Sequence, residues 1–511
     1  MINVLLIGIG PHARRIYYPI LSQIASENNL RLRAIVELKA VWGVVDTYLD
    51  NNSAASDIER LYLDEAEAAI ADNTLTESAT HRLSRVVKDK DITAVIVATE
   101  PTAHVAYGKW ALNEGLHVLM DKPISAPADL TSSPAASRQI FTDYAELADL
   151  YRSQKLTKPT LTFQLMAQRR YHPAFHYIKD RVREVTDRTG FPITSFQSLH
   201  SDGQWRMPNE IVGQDYHPYN QGYGKCLHSG YHAIDIVAWL TRESYSGIHE
   251  LSDINVSSNF LYPDDFLAQL PLEGYNALFP DFHYFNKYDE ATLREKFQAY
   301  GEIDAQIALN FKHSDGRTLT LGQLSLQHNG FGQRNWPSAA GHDLYKGNGR
   351  VRHESHALTQ GPFQAIYYQS YQSQEILDTT VNHSGVGGEY HLDLHIFRNN
   401  KFFPEWKAYE KVSLKDLSVN ILEGYSRGHQ EDARRAAVLN FIECIKHPAA
   451  DNYSDLIDHE LATAIIAAAY NSAYNSKHGL KHDVSVSRFT QRLTRDSHSV
   501  NEAKVGYEKA A

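Results

Sequence analysis

Cysteine is nearly absent from this sequence: Cys226 and Cys444 are the only two among 511 residues. So few thiols speak against a disulfide framework and fit a reducing compartment, so a cytoplasmic location is expected. Positive charge is also in deficit. Fifty Lys and Arg stand against 61 Asp and Glu, for a formal charge of −11 and a pI near 6.2. That balance leaves no electrostatic footprint for nucleic acid or an acidic membrane surface. No apolar run is long enough to span a bilayer, so no membrane partner is expected. The opening MINVLLIGIG lacks the basic segment and small-residue cleavage site of a signal peptide, and reads better as a strand entering a glycine turn. No internal repeat stands out. What is present in excess is tyrosine and histidine, 30 and 26 residues. Many fall in polar, glycine-dotted loops after residue 195, which hints at a polar binding surface there.

The length allows two substantial domains. The first is organised around Ile92 to Ser125. An apolar strand (Ala94 to Ala98) enters the loop Thr99-Glu100-Pro101-Thr102, a helix follows over Ala103 to Asn113, and Gly115 stops it. A second apolar strand, His117 to Met120, ends in Asp121-Lys122-Pro123. This is a βαβ unit, whose strands run parallel by a right-handed crossover. Ligands of open parallel sheets sit beyond the carboxyl ends of the strands, so Lys122 stands at the lip of a ligand crevice.

At the amino terminus, strand Asn3 to Ile7 runs into Gly8-Ile9-Gly10-Pro11-His12-Ala13, which matches G-x-G-x-x-A. Dinucleotide binding wants a sharp turn at Gly8, side-chain-free approach at Gly10 and close helix packing at Ala13. Backbone N–H groups of the following helix, where Pro11 and His12 stand, would meet the phosphates. A lone motif of this kind is often a plain turn; here it has the required strand before it and helix after it. The second strand (Leu30 to Val36) ends at Glu37, an acceptor for a ribose diol that favours NAD, although Lys39 could serve a 2′-phosphate of NADP. Helices are expected at Trp42 to Leu49, Thr80 to Val87 and Arg138 to Gln154, with a short strand at Leu61 to Leu63.

Beyond this, strand Thr160 to Gln164 leads to Arg169-Arg170-Tyr171 and a helix over Ala174 to Val185. Pro192 to Leu199 reads as a strand of a different sheet. The loop that follows is rich in rings and donors (His200, Trp205, Arg206, Gln214, Tyr216, His217, Tyr219, Tyr223), a composition that suits a hydroxyl-rich ligand as well as an ordinary surface loop. His228, His232 and Asp235, at i, i+4 and i+7, are expected on one helical face. That histidine spacing occurs in zinc sites, but no glutamate stands beside His228 and no third ligand follows, so no metal is expected. Strands Ile254 to Tyr262, Glu302 to His313, Thr318 to His328 and Tyr390 to Phe397 predict a mainly antiparallel sheet. Gly330 to Gly388 reads as a long loop excursion. Two amphipathic helices, Glu431 to Lys446 and Ile457 to Asn475, precede a peripheral tail.

Four stretches together resemble the Gfo/Idh/MocA oxidoreductases: the glycine motif, VATEPTAH…ALNEGLHVLMDKP, QRRYHPAF and GYHAIDIVAWL, with VLNFIECIKHP similar to the family's returning helix. The resemblance spans most of residues 1–240 and 425–475. It implies an α/β chain with a Rossmann doubly wound parallel sheet (1–155), then an α/β domain with a large, mainly antiparallel open sheet (156–485) that forms a homo-oligomer interface, then a peripheral tail (486–511). It also implies hydride transfer between nicotinamide and a carbon of a sugar or polyol. The family's Glu-Lys-Pro is here Asp121-Lys122-Pro123. Its Asp-x-x-x-His is His228-x-x-x-His232, so His228 replaces the aspartate. Lys122 and His232 are thus the expected catalytic pair, with His228 secondary. Gly8, Gly10, Pro11, His12, Ala13, Glu37, Thr99, Glu100, Pro101, His104, Asp121 and Lys122 are expected to hold the dinucleotide. Arg169, Arg170, Tyr171, Trp205 and Tyr223, with both histidines, are candidate substrate contacts, although the arginines could be plain strand-end charges. The competing readings are a dinucleotide-sensing regulator without turnover, favoured by His228, and redox-assisted elimination with a tightly held cofactor.

Overall fold

Strand Ile2–Ile7 (β1) is buried on both faces, with Leu5 and Ile7 to one side and Val4 and Leu6 to the other. That is the pattern of a central strand in a parallel sheet covered on both sides. The structure is a computed structural model. It describes the chain except residues 53–56, 215–216, 246–248, 250, 280, 335–348, 374–383, 418–428 and 488–511. Leu30–Leu38 (β2), Glu59–Leu63 (β3), Ala94–Val97 (β4), His117–Met120 (β5) and Phe163–Leu165 (β6) complete a six-stranded sheet in the order β3-β2-β1-β4-β5-β6. Every pairing in it is parallel, the Rossmann arrangement. The sixth strand lies beyond residue 155, so the sheet extends past the boundary expected from sequence.

Helices Pro11–Arg15 (α1) and Tyr17–Asn28 (α2) cover one face. His104–Asn113 (α3) and Pro134–Thr157 (α4) cover the other. Helix α4 begins at Pro134 rather than Arg138. Ser133 caps it by accepting from the Ala136 amide at 3.3 Å, and proline suits a position whose N–H would be unpaired.

The second sheet has nine strands: Ser195–Ser201 (β7), Leu251–Leu261 (β8), Asp304–His313 (β9), Thr318–Gln327 (β10), Val351–Gln360 (β11), Gln364–Ser373 (β12), Asp393–Arg398 (β13), Tyr409–Ser413 (β14) and Val484–Ser487 (β15). Their order is β14-β13-β12-β11-β7-β10-β9-β8-β15, and the β7–β10 pair alone is parallel. Two expectations are corrected here. Gly330 to Gly388 is not one long loop, because β11 and β12 form a ten-residue hairpin ladder within it. Nor does everything after Ser485 stay peripheral: β15 zips onto β8, pairing Val486 with Ile254.

Helices Pro173–Thr189 (α5) and Gly230–Glu243 (α6) pack on this sheet. His429–Lys446 (α7) returns to the first domain, where Ala437, Val438, Phe441 and Ile442 join the core of β1 and α2. Glu460–Lys477 (α8), expected to be amphipathic, is buried from Glu460 through Tyr470 because α4, α6 and β8 surround it. Both cysteines are buried and free. Among the described residues, no helix is long and apolar enough to cross a membrane.

Beneath α8 lies Glu302, with none of its surface exposed. Its Oε1 accepts from the Cys226 amide (2.7 Å) and the Tyr470 hydroxyl (2.8 Å), and burial pushes its pKa up to about 7. A carboxyl raised in the folded state contributes stability that is fully present below its ordinary 4.5 and lost as pH rises through 7. At about 1.4 kcal/mol per pH unit, that gap is worth about 3 kcal/mol. Glu302→Gln keeps the accepting oxygen without the charge. Urea melts should find it more stable than the parent at pH 8.5 by about that amount, with little difference at pH 4.

Candidate active site

The glycine turn has the geometry its sequence calls for. Gly8 sits at φ +87°, and a Cβ there would lie 2.6 Å from the Ala98 carbonyl oxygen. Only glycine tolerates both the conformation and the approach. At Gly10, by contrast, a Cβ would meet nothing within 4 Å: the loop opens onto free space where a pyrophosphate would approach. Ala13 is wholly buried against the sheet, and Pro11 opens α1. Glu37 ends β2 with both carboxylate oxygens engaged, Oε2 by the Ile9 amide and Oε1 by the Leu38 amide, each at 2.8 Å. It is therefore held beside the glycine turn, where its remaining lone pairs can receive a ribose diol.

The loops after β4 and β5 converge as expected, but His104 plays a different part. It is fully buried, with Nδ1 2.6 Å from the Pro123 carbonyl and Nε2 3.1 Å from the Thr99 carbonyl. It ties the two loops together instead of lining the cofactor crevice. Thr99, Glu100 and Pro101, in the loop after β4, are partly or fully exposed. Asp121 accepts from the Lys122 amide (2.8 Å) and faces His12 Nε2 at 3.3 Å. Its pKa lies below the usual carboxylate value: burial pushes it up, and His12 and Lys122 more than offset this.

Lys122 Nζ reaches across to the second domain and donates to the main-chain oxygen of His228 at 2.9 Å. His228 itself departs from expectation. Helix α6 begins at Gly230, so His228 occupies the preceding turn and does not share a helical face with His232 and Asp235. The turn is compressed because Gly224 and Gly230 press against the backbone of Glu302 and Lys225, leaving no room for a Cβ. The His228 ring lies among His217, Tyr219 and Tyr223, with centroids 4.7, 5.3 and 5.4 Å away. Among the described residues neither ring nitrogen has a hydrogen-bond partner. Burial, with His217 and Lys122 nearby, holds its pKa well below that of free imidazole. His232 is buried too, its Nδ1 without a partner, and its pKa is likewise held well down by burial, Arg169 and Lys122. Both imidazoles are therefore neutral at pH 7.

Of the expected substrate contacts, three are occupied elsewhere. Arg170, none of it exposed, makes a bidentate pair with Asp235 (2.9 and 2.7 Å) and also donates to the carbonyls of Tyr453 and Asp458. Tyr171 packs toward α7 and donates to Asn440 at 3.2 Å. Trp205 packs with Met207, Tyr275 and Phe282 in a satellite cluster. Tyr223 borders His228 and Arg169 stays near His232. Tyr216 lies outside the described residues.

A buried polar chain behind His232 was not foreseen. Lys225, wholly buried, bonds Asp202 (2.6 Å), Ser229 (2.9 Å) and His200 Nδ1 (3.0 Å). His200 Nε2 lies 3.3 Å from Arg169, whose guanidinium grips Glu354 through two bonds of 2.6 Å. Glu354 meets His356 at 3.2 Å, and His356 meets Ser198 at 2.7 Å. The chain follows the sheet register, since Glu354 sits opposite His200 and His356 opposite Ser198.

Residues 2–139 match the family described as "Oxidoreductase family, NAD-binding Rossmann fold". The match is confined to this first domain, which is similar to the NAD-binding domain of the Gfo/Idh/MocA oxidoreductases. None of the curated proteins matches it in sequence. Solved structures that share the fold of this chain include a levoglucosan dehydrogenase in complex with NADH and L-sorbose, at 14% identity, with 96% of this chain and 99% of that one covered and a TM-score of 0.56. An oxidoreductase from Agrobacterium radiobacter in complex with NAD+, L-tartaric acid and magnesium matches at 13% identity, 95% and 98% coverage and TM-score 0.52. The WlbA dehydrogenase from Bordetella pertussis, in complex with NADH and UDP-GlcNAcA, matches at 12%, 96% and 99%, and 0.51. At these identities the likeness is one of fold.

Proposed function

We propose that this chain is an NAD-dependent dehydrogenase acting on an alcohol carbon of a polyhydroxylated small molecule. The observation that carries the reading is the meeting of Lys122, from the end of β5, with the turn that precedes His232. The ligands bound in the similar folds, L-sorbose, L-tartaric acid and UDP-GlcNAcA, are polyhydroxylated and support it. Bound NAD would supply the hydride acceptor at its nicotinamide ring. Gly8, Gly10 and α1 would hold the pyrophosphate, and Glu37 a ribose diol, which favours NAD over NADP.

In the oxidative direction the C–H bond gives up its hydride as the O–H bond gives up its proton, and a carbonyl results. A neutral His232, whose Nδ1 has no hydrogen-bond partner among the described residues, can take that proton. The Lys122 ammonium stabilises the alkoxide charge that develops meanwhile. His228 contributes a main-chain acceptor that holds Lys122 in place, while its ring nitrogens have no partner among the described residues through which a proton could be relayed.

The test is absorbance of reduced nicotinamide during incubation of the NAD-loaded protein with a panel of polyols, sugars and sugar acids. Turnover with at least one is expected, and Lys122→Ala should lower kcat/KM by about a hundredfold. Firm NAD binding without turnover on any member would favour the regulator reading, for which the ring of His228 in a carboxylate's place is the supporting feature.

We also infer a homo-oligomer through the open face of the nine-stranded sheet. Leu321, Phe397 and Tyr409 are exposed there in one cross-strand row. Light scattering should return a multiple of 57.8 kDa, and a charge at Phe397 (Phe397→Glu) should shift it toward the monomer.

A further inference from the structure

Strand β11 carries a row of charged residues on its inner face. Side chains alternate along a strand, so Arg352 shares a face with Glu354 and His356, the residues of the buried chain behind His232. Arg350 stands just before the strand. The charges of its neighbours are matched: Arg350 donates to Asp202 (3.2 Å to Oδ1), and Arg169 to Glu354. Arg352 differs. Its guanidinium meets the Gln372 Oε1 at 3.4 Å, directly across the strand pair, and the Gln430 Oε1 at 2.7 Å. Among the described residues no carboxylate lies within ion-pair distance of it. Neutral amides return little against the cost of taking a guanidinium out of water. Burial, with Arg350 and Arg169 beside it, accordingly lowers its pKa to about 10.

Its position makes this imbalance useful. Gln430 lies in the first turn of α7, and the next residue, Glu431, pairs with Arg15 of α1 at 3.2 Å. Arg352 therefore stands where the sheet meets α7, on the strand face that carries Glu354, the partner of Arg169. We propose that Arg352, backed by Arg350 and Arg169, is the anion-reading residue of the substrate site, selecting a polyhydroxylated substrate that carries a carboxylate or phosphate. A guanidinium presents paired N–H donors that fit either group. Gln372 and Gln430 would keep the fork oriented until the anion arrives. The inference rests on the dehydrogenase reading of the same cleft.

The test is equilibrium binding of three probes to the NAD-loaded protein: D-glucuronate, D-glucose 6-phosphate and D-glucose. At least one anion should bind about tenfold or more tighter than glucose, a difference of about 1.4 kcal/mol, and which one it is separates carboxylate from phosphate. Arg352→Gln should abolish the difference. Arg352→Lys, which keeps the charge but not the fork, should retain part of it and guards against a folding defect in the first variant. Equal affinity for all three probes, no detectable binding of either anion, or a preference that survives Arg352→Gln would each overturn the subsite. Formation of NADH is read separately. Turnover of neutral polyols with no anion preference would leave the dehydrogenase reading standing without the subsite. Arg352-dependent anion binding with no NADH from any substrate would do the reverse.

Discussion

Replacing His232 with alanine is expected to lower kcat by about 10²- to 10⁴-fold, the range for removing a positioned acid–base group. NAD affinity should hold, because the dinucleotide contacts proposed above, Gly8 to Ala13 and Glu37, lie on the other domain. The pH profile sharpens the test. Burial, Arg169 and Lys122 hold His232 well below the 6.5 of free imidazole, so it is neutral and able to accept a proton at pH 7. Oxidation by the parent should stay level through neutral pH and fall on an acid limb beneath 6.5, and His232→Ala should remove that limb. An acid limb centred above pH 7, or a variant with parental kcat, would rule out His232 as the base.

Arg170→Ala should cost about 3–5 kcal/mol of stability, as expected for stripping one partner from a buried ion pair. Arg170 and Asp235 are both sealed from solvent, and Asp235 also faces His459 Nδ1 at 3.0 Å. Loss of the guanidinium would leave that carboxylate with a lone imidazole. The double change Arg170→Met with Asp235→Leu should recover most of the loss, since neither charge then remains to be solvated. Urea unfolding of the parent, Arg170→Met, Asp235→Leu and the double variant gives the cycle directly. A single variant as stable as the parent would mean that the pair is hydrated rather than buried.

Much of the first domain could be read from sequence because its strands are apolar throughout and punctuated by glycine. Val4 to Ile7, Ala94 to Val97 and His117 to Met120 are buried on both faces, which yields continuous apolar runs. Strand β11 was missed for the opposite reason. Its inner face carries Arg352, Glu354 and His356, so the alternation that marks a half-buried strand is erased where the candidate site is built. The role of Lys225 is not legible in sequence because its partners, His200 and Asp202, lie more than twenty residues away, at the end of β7. The signal available was a lysine amid the apolar residues Cys226 and Leu227. His228 was placed on a helix by spacing alone, and backbone compression at Gly224 and Gly230 is a three-dimensional fact that spacing does not carry. The same limit applies to Arg170, whose adjacency to Arg169 says nothing about Asp235 sixty-five residues on.

The return of α7 has a consequence for how this protein can be cut or recombined. A polypeptide stopped short of residue 429 would keep every glycine of the dinucleotide turn. It would still leave bare the apolar surface of β1 and α2 that Ala437, Val438, Phe441 and Ile442 cover. The nucleotide-binding domain is thus built from two distant stretches of chain and closes only after α7 has left the ribosome. A chimera that exchanges the front half between relatives must carry this late helix with it, and a deletion near the carboxyl end is a lesion of the cofactor domain.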